Sequence, residues 1–160
     1  MEKKEVALRM VDGSENASLY TIQFTEDSET EFGKFVSKYK GDMKVDKDYQ
    51  VIIAALVKIL KNGALERLFR PEGKMNDNVC ALPIDGGRLR LYCLRLSDKI
   101  LILGNGGKKA TRTYNEDVEL SGYVLTLQKF DAMIKLGLKN GSITIEETKI
   151  SGIDGKTFEI

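Results

Sequence analysis

Apolar residues recur along this chain with two different periods, and the switches between them divide it into elements. From Ser18 to Phe24 (SLYTIQF), Tyr20, Ile22 and Phe24 alternate with Thr21 and Gln23, the two-residue repeat of a strand. An earlier strand is expected over Glu5–Met10, before the turn signal Asp12-Gly13. The period then changes. Phe32, Phe35, Val36 and Tyr39 fall on one helical face, Ser28 with Glu31 fits a capping box, and Gly41 stops the helix. A second helix is expected from about Asp48 to Lys61, with Tyr49, Ile52, Ile53, Leu56, Ile59 and Leu60 on its buried face and Asn62-Gly63 as its end.

Leu65–Asn78 reads as a connection, with Pro71 and Gly73 as breakers. Val79–Ile84 is a short strand that Pro83 places at an edge or terminates. After the turn Asp85-Gly86-Gly87 come strands at Arg88–Leu96 and Lys99–Leu103, joined through Ser97-Asp98. Ile100–Leu103 is apolar at every position, as a strand buried on both faces would be. Val118–Lys139 is expected to be helical, with Leu120, Tyr123, Val124, Leu127, Phe130, Met133, Ile134 and Leu138 as its apolar stripe, ending at Asn140-Gly141. The tail Ile143–Ile160 reads as two short strands, with Asp154-Gly155 a possible turn between them. The class is therefore α+β: a central antiparallel sheet with two helices after the first long strand, a C-terminal helix and short terminal strands. At 160 residues the simplest organisation is a single domain, 1–160.

Composition narrows the chemistry. The chain has no histidine, which excludes Ser-His and Cys-His nucleophilic pairs, a histidine general base and a His-ligated metal site. Cys80 and Cys93 lie in apolar runs and are expected to be buried free thiols. No apolar run is long enough to span a membrane and the N-terminus lacks a signal-peptide pattern, so a cytoplasmic protein is expected. No metal or cofactor is expected either.

Charge then singles out one segment. From Arg88 to Tyr114 there are seven basic residues (Arg88, Arg90, Arg95, Lys99, Lys108, Lys109, Arg112) against Asp98 alone, an excess of +6 in a protein of net charge +1. Asp12–Glu31 offsets it with six acids and no bases. Such a basic hairpin is a surface on which a polyanion could sit, or simply a solvated face. On an alternating strand Arg88, Arg90 and Tyr92 share one face, where two guanidinium groups could hold phosphate and the ring could stack a base. Arg95 has the opposite parity, at a bulge or a frayed end. Lys108 and Lys109, if extended, point to opposite sides, and Arg112 and Tyr114 again share a face. The run Gly104-Asn105-Gly106-Gly107-Lys108 is neither a P-loop nor a dinucleotide fingerprint: Ile102 and Lys109 stand where those motifs need glycine, and Lys109 also stands where a P-loop needs Ser or Thr. Its glycines are expected to turn the chain with positive φ and leave the backbone exposed.

The order strand, two helices, three antiparallel strands resembles the RelE/ParE toxins of bacterial toxin–antitoxin pairs. In their HigB-like branch an apolar strand runs into a glycine, two lysines and a Thr-rich segment before a helix with an early glutamate. This chain reads ILILGNGGKKATRTYNEDVEL at that place, and Arg88–Leu96 resembles the family's arginine-bearing penultimate strand. The likeness covers roughly residues 18–120, with residues 121–160 as an extension.

The resemblance implies cleavage of mRNA, usually in the ribosomal A site, by attack of a ribose 2′-OH on the adjacent phosphate. Arg88 or Arg90 would stabilise the charge developing on phosphorus, Lys108 or Lys109 would bind RNA or transfer a proton, and Tyr114 is a further catalytic candidate. Arg112, Tyr92, Lys99 and Arg95 would contact RNA. The partners implied are an antitoxin and RNA or the ribosome. The alternative is a non-catalytic module of the same fold that binds nucleic acid or a protein through the basic hairpin.

Overall fold

The structure is a computed structural model that describes residues 3–72, 77–109 and 117–160. Its centre is a sheet of seven strands in the order β3-β4-β5-β6-β2-β1-β9. These are β1 (Glu5–Gly13), β2 (Ser18–Phe24), β3 (Arg70–Pro71), β4 (Val79–Leu82), β5 (Leu89–Ser97), β6 (Ile100–Lys108) and β9 (Thr157–Glu159). A separate hairpin pairs β7 (Thr144–Glu146) with β8 (Lys149–Ser151). The helices are α1 (Glu31–Tyr39), α2 (Asp46–Asn62) and α3 (Val118–Asn140). The α+β class holds. Within the main sheet every neighbouring pair is antiparallel except β2 and β6, which run parallel from Ser18↔Ile100 to Thr21↔Leu103.

The two faces of the sheet carry different helices because the strand residues alternate. Leu19, Leu89, Leu91, Cys93, Leu101 and Leu103 point to α1 and α2 and pack with Phe35, Tyr49, Ile52 and Ile59. Tyr20, Ile22, Tyr92, Leu94, Ile100 and Ile102 point the other way and pack with Leu120, Val124, Leu127 and Phe130 of α3. Ile100 to Leu103 are all fully buried, as a strand sandwiched between two helical layers must be.

Three local expectations change. The cap of α1 is Thr30, not Ser28: the Thr30 hydroxyl accepts from the Gly33 N–H at 3.0 Å. The tail forms three strands, because Asp154-Gly155 leads into β9, which joins the main sheet beside Glu5–Ala7 and covers that part of the β1 edge. Leu138, assigned to the inner stripe of α3, is partly exposed near the helix end, and its inner positions are taken by Asp131 and Gly137 instead.

Asp131 fastens α3 to the sheet. Its carboxylate is buried, accepts from Asn78 Nδ2 at 2.9 Å and from the Asn78 N–H at 3.3 Å, and lies 2.9 Å from Lys135 Nζ. Asp131→Ala leaves two part-buried donors of Asn78 without an acceptor and should cost about 1–3 kcal/mol, read as a lower urea midpoint at unchanged slope. Among the described residues no helix is long and apolar enough to cross a membrane.

Candidate functional site

The basic hairpin is β5–β6, and its geometry departs from a simple ladder. Leu91 pairs with Gly106 and Cys93 with Leu103, so Tyr92 alone spans the interval that Gly104 and Asn105 share on β6. That is a β-bulge. The glycine run therefore continues the strand to Lys108 and is buried, rather than turning in the open as its composition suggests. The positive-φ glycines lie in the preceding turn instead, at Gly86 (φ 68°) and Gly87 (φ 71°).

Arg90 and Tyr92 do share a face, but α3 covers it. Tyr92 is 1% exposed, so it is core and stacks no base; burial pushes its hydroxyl pKa well above the ordinary value. Arg90 is 4% exposed. Its Nη1 donates to the carbonyls of Gly86 (2.8 Å), Leu89 (3.0 Å) and Gly87 (3.2 Å), pinning the turn that begins β5. Its buried Nε has no acceptor among the described residues. Burial, then the charge of Arg70, weakens its hold on its proton. Arg88 is exposed; its N–H donates to Asp48 Oδ2 at 2.7 Å and its carbonyl accepts from the Lys109 N–H at 2.5 Å.

Two residues absent from the sequence-based site complete the group. Arg70 and Glu72 flank Pro71 on the short edge strand, and Arg70 Nε lies 3.4 Å from Glu72 Oε1. The Glu72 side chain is only 10% exposed. Burial raises its pKa above the usual carboxylate value, against the lowering pull of Arg70, Lys109 and Arg90. Three cations thus act on one shielded carboxylate at the β3–β5 end of the sheet, close enough to α3 that Asp117 acts on Tyr92. The available signal was Arg70-Pro71-Glu72 itself. Opposite charges two apart share a strand face, but Pro71 argued for a loop.

The remaining candidates lie elsewhere. Lys108 Nζ is 3.7 Å from Asp42 Oδ2, beyond the end of α1. Arg95 lies on the opposite side of β5 from Arg90, donates from Nε to the Ala64 carbonyl at 2.7 Å and is paired with Asp98. It is paired with Leu101 and so is not a frayed end, and a register shift between Arg95 and Ser97 lies beside it, in line with the bulge alternative. Lys99 is paired with Glu147 on the β7–β8 turn. Arg112 and Tyr114 lie outside the described residues. Among the described residues the acids of Asp12–Glu31 form no ion pair with the hairpin arginines: Asp27 and Glu31 hold Lys34 at 2.5 and 2.7 Å.

A second polar cluster joins the two helical layers. Beyond Thr21 and Leu103 the parallel strands β2 and β6 are no longer paired, and buried Asn105 faces Glu31 at 3.5 Å. Lys38 of α1 donates to the Gly106 carbonyl at 2.8 Å and to Tyr123 Oη of α3 at 3.1 Å, while Tyr123 donates to Glu119 at 2.7 Å. Desolvation lowers the Lys38 pKa and raises that of Tyr123. This network holds α1, the end of β6 and the start of α3 in register, with Glu31 Oε2 held by its ion pair with Lys34.

Cys80 and Cys93 are free and buried; burial raises Cys80 to about 12 and Cys93 well above its ordinary value, so both are poor nucleophiles. Among the described residues no three Cys, Asp or Glu side chains gather as a metal ion would need. Comparison with protein-family models, with curated proteins and with solved structures finds no match to this chain.

Proposed function

We propose that the chain is a RelE/HigB-like toxin of a toxin–antitoxin pair that cleaves mRNA in the cytoplasm, with its chemistry at Glu72, Arg70, Arg90 and Lys109. The observation that carries this reading is the shielded Glu72 carboxylate 3.4 Å from Arg70 Nε, whose pKa burial raises against the pull of Arg70, Lys109 and Arg90. The order β2, α1, α2, then the strands β3 to β6 and α3, is a further support for this reading. Glu72 takes the proton of a ribose 2′-OH, the 2′-oxygen bonds to phosphorus, and the P–O5′ bond breaks as Lys109 supplies a proton to the leaving oxygen. Arg70 balances the charge that builds on the non-bridging oxygens, and Arg90, buried and bonded to the turn, adds its charge from behind without touching the phosphate. The products are a 2′,3′-cyclic phosphate and a 5′-hydroxyl.

The test is induction of the chain in a bacterial host, with translation and mRNA ends followed. Growth arrest with cleaved mRNA, relieved by co-expression of an adjacent helix-turn-helix gene, is expected; undamaged mRNA on purified ribosomes defeats the cleavage reading. The pH dependence adds a signed prediction. Glu72 must be ionised to act, so the acid limb of the rate profile lies above the ordinary carboxylate range, in the direction burial drives it. Arg70 pulls that pKa down, so Arg70→Ala should move the limb to still higher pH, measured by single-turnover cleavage of a short RNA.

A second reading is a non-catalytic module that binds RNA or a protein partner at the same end of the sheet. It is favoured by the capture of Arg90 by three backbone carbonyls, which gives that side chain a structural task. Salt-sensitive RNA binding without product would select it.

A further inference from the structure

The outer edge of β1 is open beyond Ala7. Lys4 exchanges both backbone bonds with Ile160, whereas the Glu5 carbonyl turns inward to the Thr25 N–H. By alternation Val6, Leu8 and Met10 direct their N–H and C=O groups away from β2. β9 takes up this edge from Glu5 to Ala7, and among the described residues no strand pairs with it from Leu8 onward. Arg9 to Gly13 are all exposed, Met10 to 56% and Val11 to 38%. Such an edge is a template for another strand.

The bulge at Val11 decides which strand fits. Arg9 pairs with Thr21 and Asp12 with Leu19, and the register skips Val11 between them. Thr21 and Leu19 share a face, so Arg9 and Asp12 share it too, with Met10 between them on the α3 side. This order is its own antiparallel complement. Two copies of β1 related by a two-fold axis through Met10 set Met10 against Met10, and Arg9 of each copy against Asp12 of the other. Arg9 Nε donates to Gln23 at 3.1 Å and Asp12 Oδ1 accepts from the Gly13 N–H at 2.8 Å, which leaves terminal guanidinium nitrogens and Asp12 Oδ2 for that pairing. Sliding one copy by two residues sets Arg9 against Arg9 or Asp12 against Asp12, and like charges directly opposite are unfavourable. Charges on an edge discourage pairing in general; here they leave one register. The free length fits as well, because Leu8–Gly13 lies between the end of β9 and the turn closed by the Ser14 N–H on the Ala17 carbonyl.

Beside Leu8 and Met10 lies a recess of about 410 Å³, lined by Ile150 and Ile153 and by Lys149 and Asp154. One charge of each sign gives it no preference for an acidic or a basic partner, and its apolar wall suits the methionine of a second copy. We propose that the chain forms a two-fold dimer through β1, joining two main sheets into one, with reciprocal Arg9–Asp12 pairs and Met10 at the axis. In the strand order β1 is remote from β3, so this surface is separate from the Glu72 site and the proposal holds whether or not that site cleaves RNA.

The test is sedimentation of the full chain from about 1 to 500 µM, where a monomer–dimer equilibrium is expected. Arg9→Asp and Asp12→Arg should each weaken dimerisation at least about tenfold, because each sets like charges opposite at two symmetric places. The double variant exchanges the charges and should return to within about threefold of wild type. Both side chains are exposed, so the melting temperatures of all three variants should match wild type. A chain that stays monomeric throughout overturns the proposal and leaves the edge to a strand of another protein. A dimer that both single variants retain, or one that the double variant fails to restore, overturns it too, since the contact then lies elsewhere.

Discussion

Glu72→Gln is expected to lower RNA cleavage by about 10²–10⁴-fold, the usual contribution of a positioned general base, and to restore growth to cells in which the wild-type chain arrests it. The substitution keeps shape and volume and removes only the ability to accept the 2′-OH proton. It should also leave the fold nearly undisturbed. Burial already disfavours the ionised carboxylate of Glu72, so a neutral amide in its place suffers less desolvation than the native group does. Replacing Arg90 is a poorer probe of chemistry. Its Nη1 is bonded to Gly86, Gly87 and Leu89, and Arg90→Ala releases the turn that starts β5 along with any charge it offers to phosphate. The informative comparison is therefore Glu72→Gln beside wild type, with thermal melts matched to within about 2 °C, a difference worth less than about 1 kcal/mol in a chain of this size. Cleavage retained at the wild-type rate in a folded Glu72→Gln protein removes the carboxylate from the mechanism and leaves the binding-module reading.

The elements themselves were legible because their signals are local and repeated. β2 spans Ser18–Phe24 as its alternation indicates, and α2 and α3 end at Gly63 and Gly141, where Asn-Gly pairs mark the stop. Depth was not legible. Arg90 and Tyr92 read as a solvated or ligand-binding face because they alternate with Leu89, Leu91 and Cys93, yet both faces of β5 are covered, one by α1 and α2 and the other by α3. Alternation reports which residues share a side and is silent on what packs there. Glu72 was missed for the converse reason. A carboxylate becomes interesting through its burial and the cations around it, and Arg70, Arg90 and Lys109 come from three different strand ends. Val79–Leu82 is an apolar strand with β3 paired outside it, and Glu72 directly follows that outer strand.

The glycines of β6 show how a compositional signal can have the right residue and the wrong cause, and they support the second large prediction. Gly106 is required by close approach, not by a turn: a Cβ built there would stand 1.9 Å from the Arg90 carbonyl oxygen and 2.9 Å from its carbon. Backbone cannot swing aside as a side-chain tip can, so Gly106→Ala must separate β5 from β6 at the bulge. Its own groups are also committed, since its N–H donates to Asn105 Oδ1 at 2.7 Å and its carbonyl accepts from Lys38. A loss of about 3 kcal/mol or more is expected, a drop of roughly 6–12 °C in melting temperature. Gly122→Ala is the matched control. Gly122 lies on the exposed side of α3 with no atom within 4 Å of a built Cβ, so the same added methyl should stabilise by about 0.5–1 kcal/mol through helix propensity alone. Because the atom that the methyl added at Gly106 would strike belongs to Arg90, the damage reaches the candidate site as well. Arg90 must move with its carbonyl, and its guanidinium with the turn it holds, so Gly106→Ala should weaken RNA binding even at temperatures where the protein remains folded. A Gly106→Ala protein that melts within about 2 °C of wild type would mean that β5 and β6 do not approach as closely as this bulge requires.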